Sequence, residues 1–448
     1  MGLTQRLYDF AAWSAQPLLL RKLRRRGRAE PGYIDRIPER FGHYTVPRPA
    51  ADAEQGQPLI WIHAVSLGET HAAAILLDAL RARWPELRLL LTHGTATGRA
   101  AGAALLRAGD AQVWQPWDTP AATRRFFEHF RPDAGVLMET EIWPNLIGQG
   151  RRAGIPIALA NARLSAKSLR GAQYAAALLR PAYAALSAVW AQTEADALRL
   201  RQAGARDVTV LGNLKFDAAP NAAAMARGQA WRACLNRDAT TPVVMLASSR
   251  EGEEALLLDV LRARPDAAAV QWLIVPRHPQ RFDAVADSIR AAGFAVSRRS
   301  IWADGTPPVN GAEAAKTIWL GDSLGEMAAY YTLADAALLG GSFAPLGGQN
   351  LIEAAACGCP VIMGPHTFNF DQAARLAQAA DAALRVSGIA EAVAQAVALT
   401  QDQPRHAHMV QAARNFAAGQ RGSAKRMAQA LASVLQQVPA LPPSPPVC

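Results

Sequence analysis

Two carboxylates stand just past an apolar run in Met138-Glu139-Thr140-Glu141-Ile142-Trp143-Pro144-Asn145, and a third stands in Ser66-Leu67-Gly68-Glu69. On an extended segment alternate residues point to one side, so Glu139 and Glu141 can approach a single site. An acid directly after a strand is well placed to act as a general base, but it also complements the dipole of a helix that opens there. Position alone divides these two readings evenly for Glu69, and solvated helix-start acids are the plain alternative for Glu139 and Glu141. Further along, four loops carry different chemistry: Ala247-Ser248-Ser249-Arg250-Glu251-Gly252-Glu253, Val275-Pro276-Arg277-His278-Pro279, Gly340-Gly341-Ser342, and Gly347-Gly348-Gln349-Asn350 with Glu353 beyond it. Hydroxyls, arginines and helix-opening amides suit a phosphate, and glycines let backbone close on a ligand. Glu353, one turn into its helix, is placed to accept from both hydroxyls of a ribose. Each loop is weak alone; together they predict a nucleotide site.

Other chemistries fall away on spacing. Gly94-Thr95-Ala96-Thr97-Gly98-Arg99 can hold an anion on backbone N–H groups, but it lacks the Gly-Lys-Ser/Thr ending of a phosphate-binding P-loop. No HExxH or DxD spacing occurs, so no bound metal is expected and no cofactor is implied. Cys357-Gly358-Cys359 flanks a buried-looking strand, and no CxxC pair exists among the four cysteines, which argues for a reducing compartment. His63, inside an apolar run, reads as a satisfied core residue. No helix-turn-helix, RRM or zinc-finger pattern is present, so nucleic acid is not an expected partner.

Such loops need strands to end at them. Leu59–Val65, Leu87–Leu91, Ala134–Met138, Ile155–Ala160, Ala188–Ala191 and Val208–Leu211 read as strands, with helices over Thr70–Arg83, Arg99–Arg107, Arg124–Phe130 and Glu194–Ala203. A second series follows: Val243–Ala247, Trp272–Val275, Thr317–Leu320, Ala336–Leu339 and Val361–Met363. This is the rhythm of parallel, doubly wound α/β sheets, and it predicts two Rossmann-like domains facing a cleft. The expected divisions are 1–44 as an N-terminal segment, 45–215 and 241–405 as the two domains, 216–240 as a linker, and 406–448 as a C-terminal helix with a Pro-rich tail at Pro439–Pro446.

The 448 residues are 50% hydrophobic and 19% charged, which suits large cores and argues against disorder or several membrane spans. A formal charge of +10 favours an anionic partner. At the N-terminus Leu3, Leu7, Phe10, Trp13 and Leu18–Leu20 precede Arg21, Lys22, Arg24, Arg25, Arg26 and Arg28. The apolar part falls short of the about 20 residues a spanning helix needs. It predicts a helix lying on an anionic membrane surface.

The motifs together resemble the 3-deoxy-D-manno-octulosonic acid (Kdo) transferases of lipopolysaccharide biosynthesis. The resemblance is carried by His63–Glu69, Met138–Asn145, Asn161-Ala162-Arg163-Leu164-Ser165, Gly212-Asn213-Leu214-Lys215-Phe216-Asp217, Val275–Pro279, Gly347–Glu353 and Gly364–Phe370. It implies a GT-B fold, with the acceptor on the N-terminal domain and the CMP-Kdo donor on the C-terminal one. The implied reaction is inverting transfer of Kdo to a lipid A precursor at the cytoplasmic face of the bacterial inner membrane. By the same resemblance the general base falls on Glu69 and a second active-site carboxylate on Glu139. Arg277 and Glu353 fall where the family binds CMP, with Ser249, Arg250, Gly341, Asn350 and Lys215 as neighbours. Arg163, Lys167 and Arg170 are acceptor-phosphate candidates or, equally, a solvated helix face. Arg250 and Gln349 stand where the family commonly has His. The competing readings are another GT-B sugar-nucleotide enzyme, whether glycosyltransferase or epimerase, and a non-catalytic, nucleotide-regulated protein of the membrane surface.

Overall fold

Apolar runs of four to six residues with no polar alternation suit strands covered on both faces, and these runs form two all-parallel sheets. The computed structural model describes residues 2–52, 57–235, 241–302, 305–308 and 316–436. They divide into two α/β units, Met1–Asp217 with Gly422–Cys448 and Ala218–Arg421.

In the first unit the strands are β1 (Leu59–His63), β2 (Arg88–His93), β3 (Ala111–Trp114), β4 (Ala134–Met138), β5 (Ile157–Ala162), β6 (Ala188–Ala191) and β7 (Val208–Val210). Their order is β3-β2-β1-β4-β5-β6-β7, every pair parallel. Apolar clusters cover both faces, one containing Trp61, Phe126 and Phe130 and the other Leu76, Leu80 and Leu91. Gly135, in mid-strand, faces Trp61 across the β1–β4 ladder, and a Cβ there would lie 2.6 Å from the indole ring. The glycine is what lets the tryptophan lie across its neighbour.

The second unit holds β8 (Val243–Ser249), β9 (Gln271–Pro276), β10 (Ala295–Arg298), β11 (Thr317–Leu320), β12 (Ala336–Leu339), β13 (Val361–Met363) and β14 (Ala383–Arg385). Their order is β10-β11-β9-β8-β12-β13-β14, again parallel throughout. Its core gathers Leu246, Leu257, Ile274, Ile289, Leu338 and Val393. In each unit the winding reverses beside the first strand, at β1/β4 and at β8/β12. The carboxyl ends of those strands are where doubly wound sheets bind ligands.

The segment bounds differ from the sequence expectation in three places. Pro31–Tyr44 packs on the first sheet instead of forming part of a membrane segment: Tyr33, Glu39 and Arg40 are buried, and the Trp114 amide donates to Glu39 (2.8 Å). Within 216–240 a helix spans Ala222–Leu235 and belongs to the second unit, burying Trp231 against Trp302 and Tyr330. The helix Ser423–Gln436 returns to the first unit, where Met427, Ala428 and Leu431 join the cluster on α3 (Leu67–Arg83). Asp217 fixes that return by accepting from the Gly422 and Ala424 amides. The expected Pro-rich tail lies outside the described residues.

Candidate active site

At the β1/β4 reversal the chain leaves β1 through Ser66 and enters α3. Ser66 caps the helix by accepting from the Glu69 amide (3.4 Å), and Glu69 reaches back, its Oε2 accepting from the Val65 amide (2.7 Å). This is a capping box shifted by one residue, since the carboxylate takes the amide that precedes the cap; the Ser-Leu-Gly-Glu spacing signalled it and the sequence reading overlooked it. Oε1 receives only a 3.3 Å contact from the Ser66 hydroxyl, so it retains accepting capacity. Burial pushes the Glu69 carboxyl up to about 7, against the Val65 hydrogen bond and with help from the nearby charges of Glu141 and Glu139. A carboxyl poised there is matched to general-base work at neutral pH.

Those two neighbours leave the end of β4. Glu139 is buried and sits in the left-handed region (φ 55°), an unfavourable conformation for a residue with a side chain, of the kind that clusters at functional sites. Its amide donates to Ala160 O (2.9 Å), and its carboxylate accepts from Arg163 Nε (2.8 Å). Arg163 thus meets Glu139, whereas Lys167 and Arg170 lie exposed on the helix Ala166–Tyr174. Glu141 accepts from Trp143 Nε1 (2.8 Å) and lies 3.8 Å from His63 Nε2. His63 is only half the satisfied core residue expected: Nδ1 contacts Thr92 Oγ1 (2.9 Å), but Nε2 is buried without a hydrogen-bond partner.

One further part of this region was missed. Glu39 and Arg40 lie beneath the Gly94 loop, where Arg40 Nη2 donates to Gly94 O (3.4 Å) and Arg40 and Arg99 both stack on Trp114. Burial lowers the Arg40 guanidinium to about 10. No spacing signal betrays such a pair, because its partners are distant in sequence. Lys215 follows β7 and belongs to the first unit, beside Asn213, Gln192 and Asn161. Leu214 N donates to Asn161 Oδ1 (3.0 Å), and Asn161 is itself left-handed (φ 53°).

In the second unit the β8/β12 reversal is occupied by the chain's own acids, which corrects the expected phosphate cradle. Glu253 Oε2 accepts from the amides of Arg250 (2.9 Å) and Gly341 (2.7 Å), and Oε1 accepts from the Phe343 amide (3.1 Å). Ser249 is fully buried, and its hydroxyl donates to Glu254 (2.6 Å). The donors of Ser249 and Gly341 are therefore committed internally. Backbone is close here, since a Cβ on Gly340 would lie 2.3 Å from Ser248 O. Arg250 pairs with Glu251 (3.2 Å), and Asn350 caps its helix by accepting from the Ile352 amide (3.0 Å). Arg277 and Glu353 differ from these. Arg277 is exposed and makes no ion pair among the described residues, and the Glu353 carboxylate accepts no hydrogen bond there. Burial alone raises the Glu353 carboxyl, and both charges act on the buried Tyr331 hydroxyl. An overlooked loop follows β11: Asp322 binds Arg298 (2.7 Å), and Glu326 binds Arg299 (3.0 Å) and Arg227. Its signal, two acids just past an apolar run, was the one used for Glu139 and Glu141. Among the described residues no group of three His, Cys, Asp or Glu is arranged to hold a metal ion.

The N-terminus is built inside out. In α1 (Leu3–Ser14) the polar side faces the protein: Gln5 Nε2 donates to Asn145 (3.1 Å), Tyr8 OH to Asp118 (2.8 Å), and Asn145 Nδ2 to Asp9 (2.8 Å). Leu3, Leu7, Phe10 and Trp13, at helical spacing, are turned outward, as is Leu18 of α2 (Gln16–Gly27), and each is well over half exposed. The six cations that follow are exposed as well. Among the described residues no helix is long and apolar enough to cross a membrane.

Known proteins resemble this chain in sequence and in fold. The family model described as 3-deoxy-D-manno-octulosonic-acid transferase matches residues 35–218. A 3-deoxy-D-manno-octulosonic acid transferase of Bordetella pertussis is 46% identical over 435 residues, covering 95% of this chain and 98% of the relative. One of Haemophilus influenzae is 32% identical, covering 94% and 96%. Among solved structures, Anabaena Alr3699/HepE in complex with UDP superposes with a TM-score of 0.54 at 16% identity, over 84% of this chain and 100% of that one. The UDP-GlcNAc 2-epimerase of Neisseria meningitidis bound to UDP-GlcNAc gives 0.53 at 13%, over 85% and 99%. These two likenesses concern the fold alone, which is GT-B.

Proposed function

The chain belongs to the 3-deoxy-D-manno-octulosonic acid (Kdo) transferase family, and from that premise we propose that it moves Kdo from CMP-Kdo to a hydroxyl of a lipid A precursor, with Glu69 as the base. The observation that carries this reading is the Glu69 carboxyl at the β1/β4 reversal, raised to about 7 with Oε1 open. Glu69 takes the proton of the acceptor hydroxyl as that oxygen bonds to the anomeric carbon of Kdo. The bond from that carbon to phosphate oxygen breaks, and CMP leaves with the electron pair. Attack opposite the leaving group inverts the anomeric centre with one base and no covalent intermediate. Glu139, its charge partly offset by Arg163, stands next to that base, where a carboxylate favours the positive charge that develops on the sugar.

The donor reading rests on Arg277 and Glu353, the two candidates whose charged ends are not committed internally. Arg277 suits the CMP phosphate and Glu353 the ribose hydroxyls. α1 and α2 support a membrane-surface reading: apolar side chains turned outward and a cationic block beside them suit the surface of an anionic bilayer, where each Lys or Arg contributes about 1 kcal/mol. The acceptor's acyl chains then remain in the bilayer while its sugars reach the protein.

The direct test mixes the protein with CMP-Kdo and a tetraacylated lipid A precursor. CMP release that depends on the acceptor, with one Kdo mass added per CMP, is the expected result. CMP release without acceptor modification would assign a hydrolase instead.

A further inference from the structure

The helix Pro144–Arg152 follows the acid loop Glu139–Trp143 and has no cap of its own. Trp143, at its N-cap, carries no side-chain oxygen, and Pro144 has no N–H, so the Asn145 and Leu146 amides are the first that need partners. Asp118, from the loop after β3, supplies both: Oδ2 accepts from Asn145 N (3.0 Å) and Oδ1 from Leu146 N (2.7 Å). The third donor to this buried carboxylate is Tyr8 OH of α1, at 2.8 Å. The Asn145 side chain is held from the same two sides. Its Nδ2 donates to Asp118 O (2.8 Å) and to Asp9 Oδ1 (2.8 Å), and its Oδ1 accepts from Gln5 Nε2 (3.1 Å). These bonds continue to the acids. Trp143 O accepts from Ile147 N (2.9 Å), and Trp143 Nε1 donates to Glu141 Oε2 (2.8 Å). At its other end the loop is tied to β5, where the Glu139 amide donates to Ala160 O (2.9 Å).

We propose that Tyr8, Asp118 and Asn145 are positioning residues through which α1 sets the loop that carries Glu139 and Glu141. The inference deepens the reading of that loop as part of the transferase site and rests on it. The sheet fixes one end of the loop, and Asp118 and Asn145 fix the other, each completed by side chains of α1. An anchor alone would be served by an apolar docked face. A hydrogen-bonded one costs desolvation, and in return it holds a single geometry. Asn145 is 1% exposed, so water does not replace a partner that is taken away. The two sides of α1 thus have separate tasks: Leu3, Leu7, Phe10 and Trp13 are turned outward, and Gln5, Tyr8 and Asp9 support the acids from within. Transfer then depends on Tyr8 even where the acceptor is in detergent and no bilayer is present.

The test uses the full chain, CMP-Kdo and a tetraacylated lipid A precursor dispersed in detergent, so that membrane attachment plays no part. Tyr8→Phe and Asn145→Ala should each lower kcat about tenfold or more with CMP affinity unchanged, since misplacing catalytic groups by about 1 Å can cost as much as about 10²-fold. The Trp143 indole N–H resonance, identified by its loss in Trp143→Phe, reports the loop directly because it is bonded to Glu141. It should move in both variants, while that of Trp61, bonded to Thr92 in the core, stays. Tyr8→Phe removes one hydroxyl from a half-buried side chain and decides the matter alone if Asn145→Ala does not fold. An unchanged kcat in Tyr8→Phe overturns the inference and leaves α1 an anchor. A lowered kcat with the Trp143 resonance unmoved, or with the Trp61 resonance displaced as well, also overturns it, because the loss then does not act through the loop. None of these results touches Glu69 as the base. A Glu69→Gln variant that retains turnover overturns that reading of the site, and this inference with it.

Discussion

At Glu69 the hydrogen bond from the Val65 amide favours the carboxylate, whereas burial and the charges of Glu141 and Glu139 favour the acid; the second group prevails, at about 7. Activity that needs the ionised form therefore falls as pH drops below about 7, and a kcat/KM profile measures that limb. The same shift has a signed cost to stability. The folded-state value lies above the ordinary 4.5, so the folded protein binds this proton more tightly, and wild-type stability is lost as pH rises from about 4.5 through 7. Glu69→Gln, which cannot ionise, should melt at a higher temperature than wild type at pH 8 and close to it at pH 4.5. Melting curves at the two pH values check this, and an equal gap at both would remove the linkage. At this scale much of the site was legible, since Glu69, Glu139 and Glu141 were singled out by their positions after apolar runs. What spacing could not show is occupancy. Glu253, close in sequence to Ser249 and Arg250, fills the amide cradle that those residues suggested, and only the fold shows that Gly341 and Phe343 complete it.

The strands read from sequence were, apart from the edge strand β7, interior ones, and β1, β4, β8 and β12 were all found. The strands missed share a place in the sheets: β3, β10 and β14 are edge strands. An edge strand is paired on one side only and tolerates polar residues, so Ala111-Gln112-Val113-Trp114 and Ala295-Val296-Ser297-Arg298 carry no continuous apolar run. For the N-terminal helix the sequence showed the pattern but not which face is docked. Because the docked face is polar, removing α1 would also strip Tyr8 from the buried Asp118, so deletion would confound anchoring with folding. Point changes on the outward face separate the two. Leu7→Ser, Phe10→Ser and Trp13→Ser together should abolish most flotation with anionic vesicles while leaving the melting temperature within a few degrees, because none of these side chains is buried. High salt should weaken binding of the wild type further, since cations on α2 are screened over about 8 Å at physiological ionic strength. Binding unchanged in the triple variant would remove α1 as the anchor.

Across the whole molecule the candidate chemistry is shared between the two units: the carboxylates belong to one, and Arg277 and Glu353 to the other. That division makes binding and turnover separable. Arg277→Ala and Glu353→Ala should each weaken CMP binding by about tenfold or more, the scale of one lost charge-assisted contact of 1.5–3 kcal/mol. Calorimetry with CMP alone reads this, and unchanged affinity in both variants would remove the second unit as the nucleotide site. The division into two sheets was legible because the β-α rhythm restarts near residue 243. The return of Ser423–Gln436 to the first unit was not, since nothing local distinguishes a helix that packs on its own domain from one that crosses to another. The central claim is that Glu69 takes the acceptor's proton, and it is tested most directly by comparing Glu69→Gln with wild type in CMP affinity and in Kdo transfer under saturating substrates at pH 8. The account predicts unchanged CMP affinity with transfer reduced about 10²-fold or more, the range of one general base. Near-normal transfer by Glu69→Gln would contradict it.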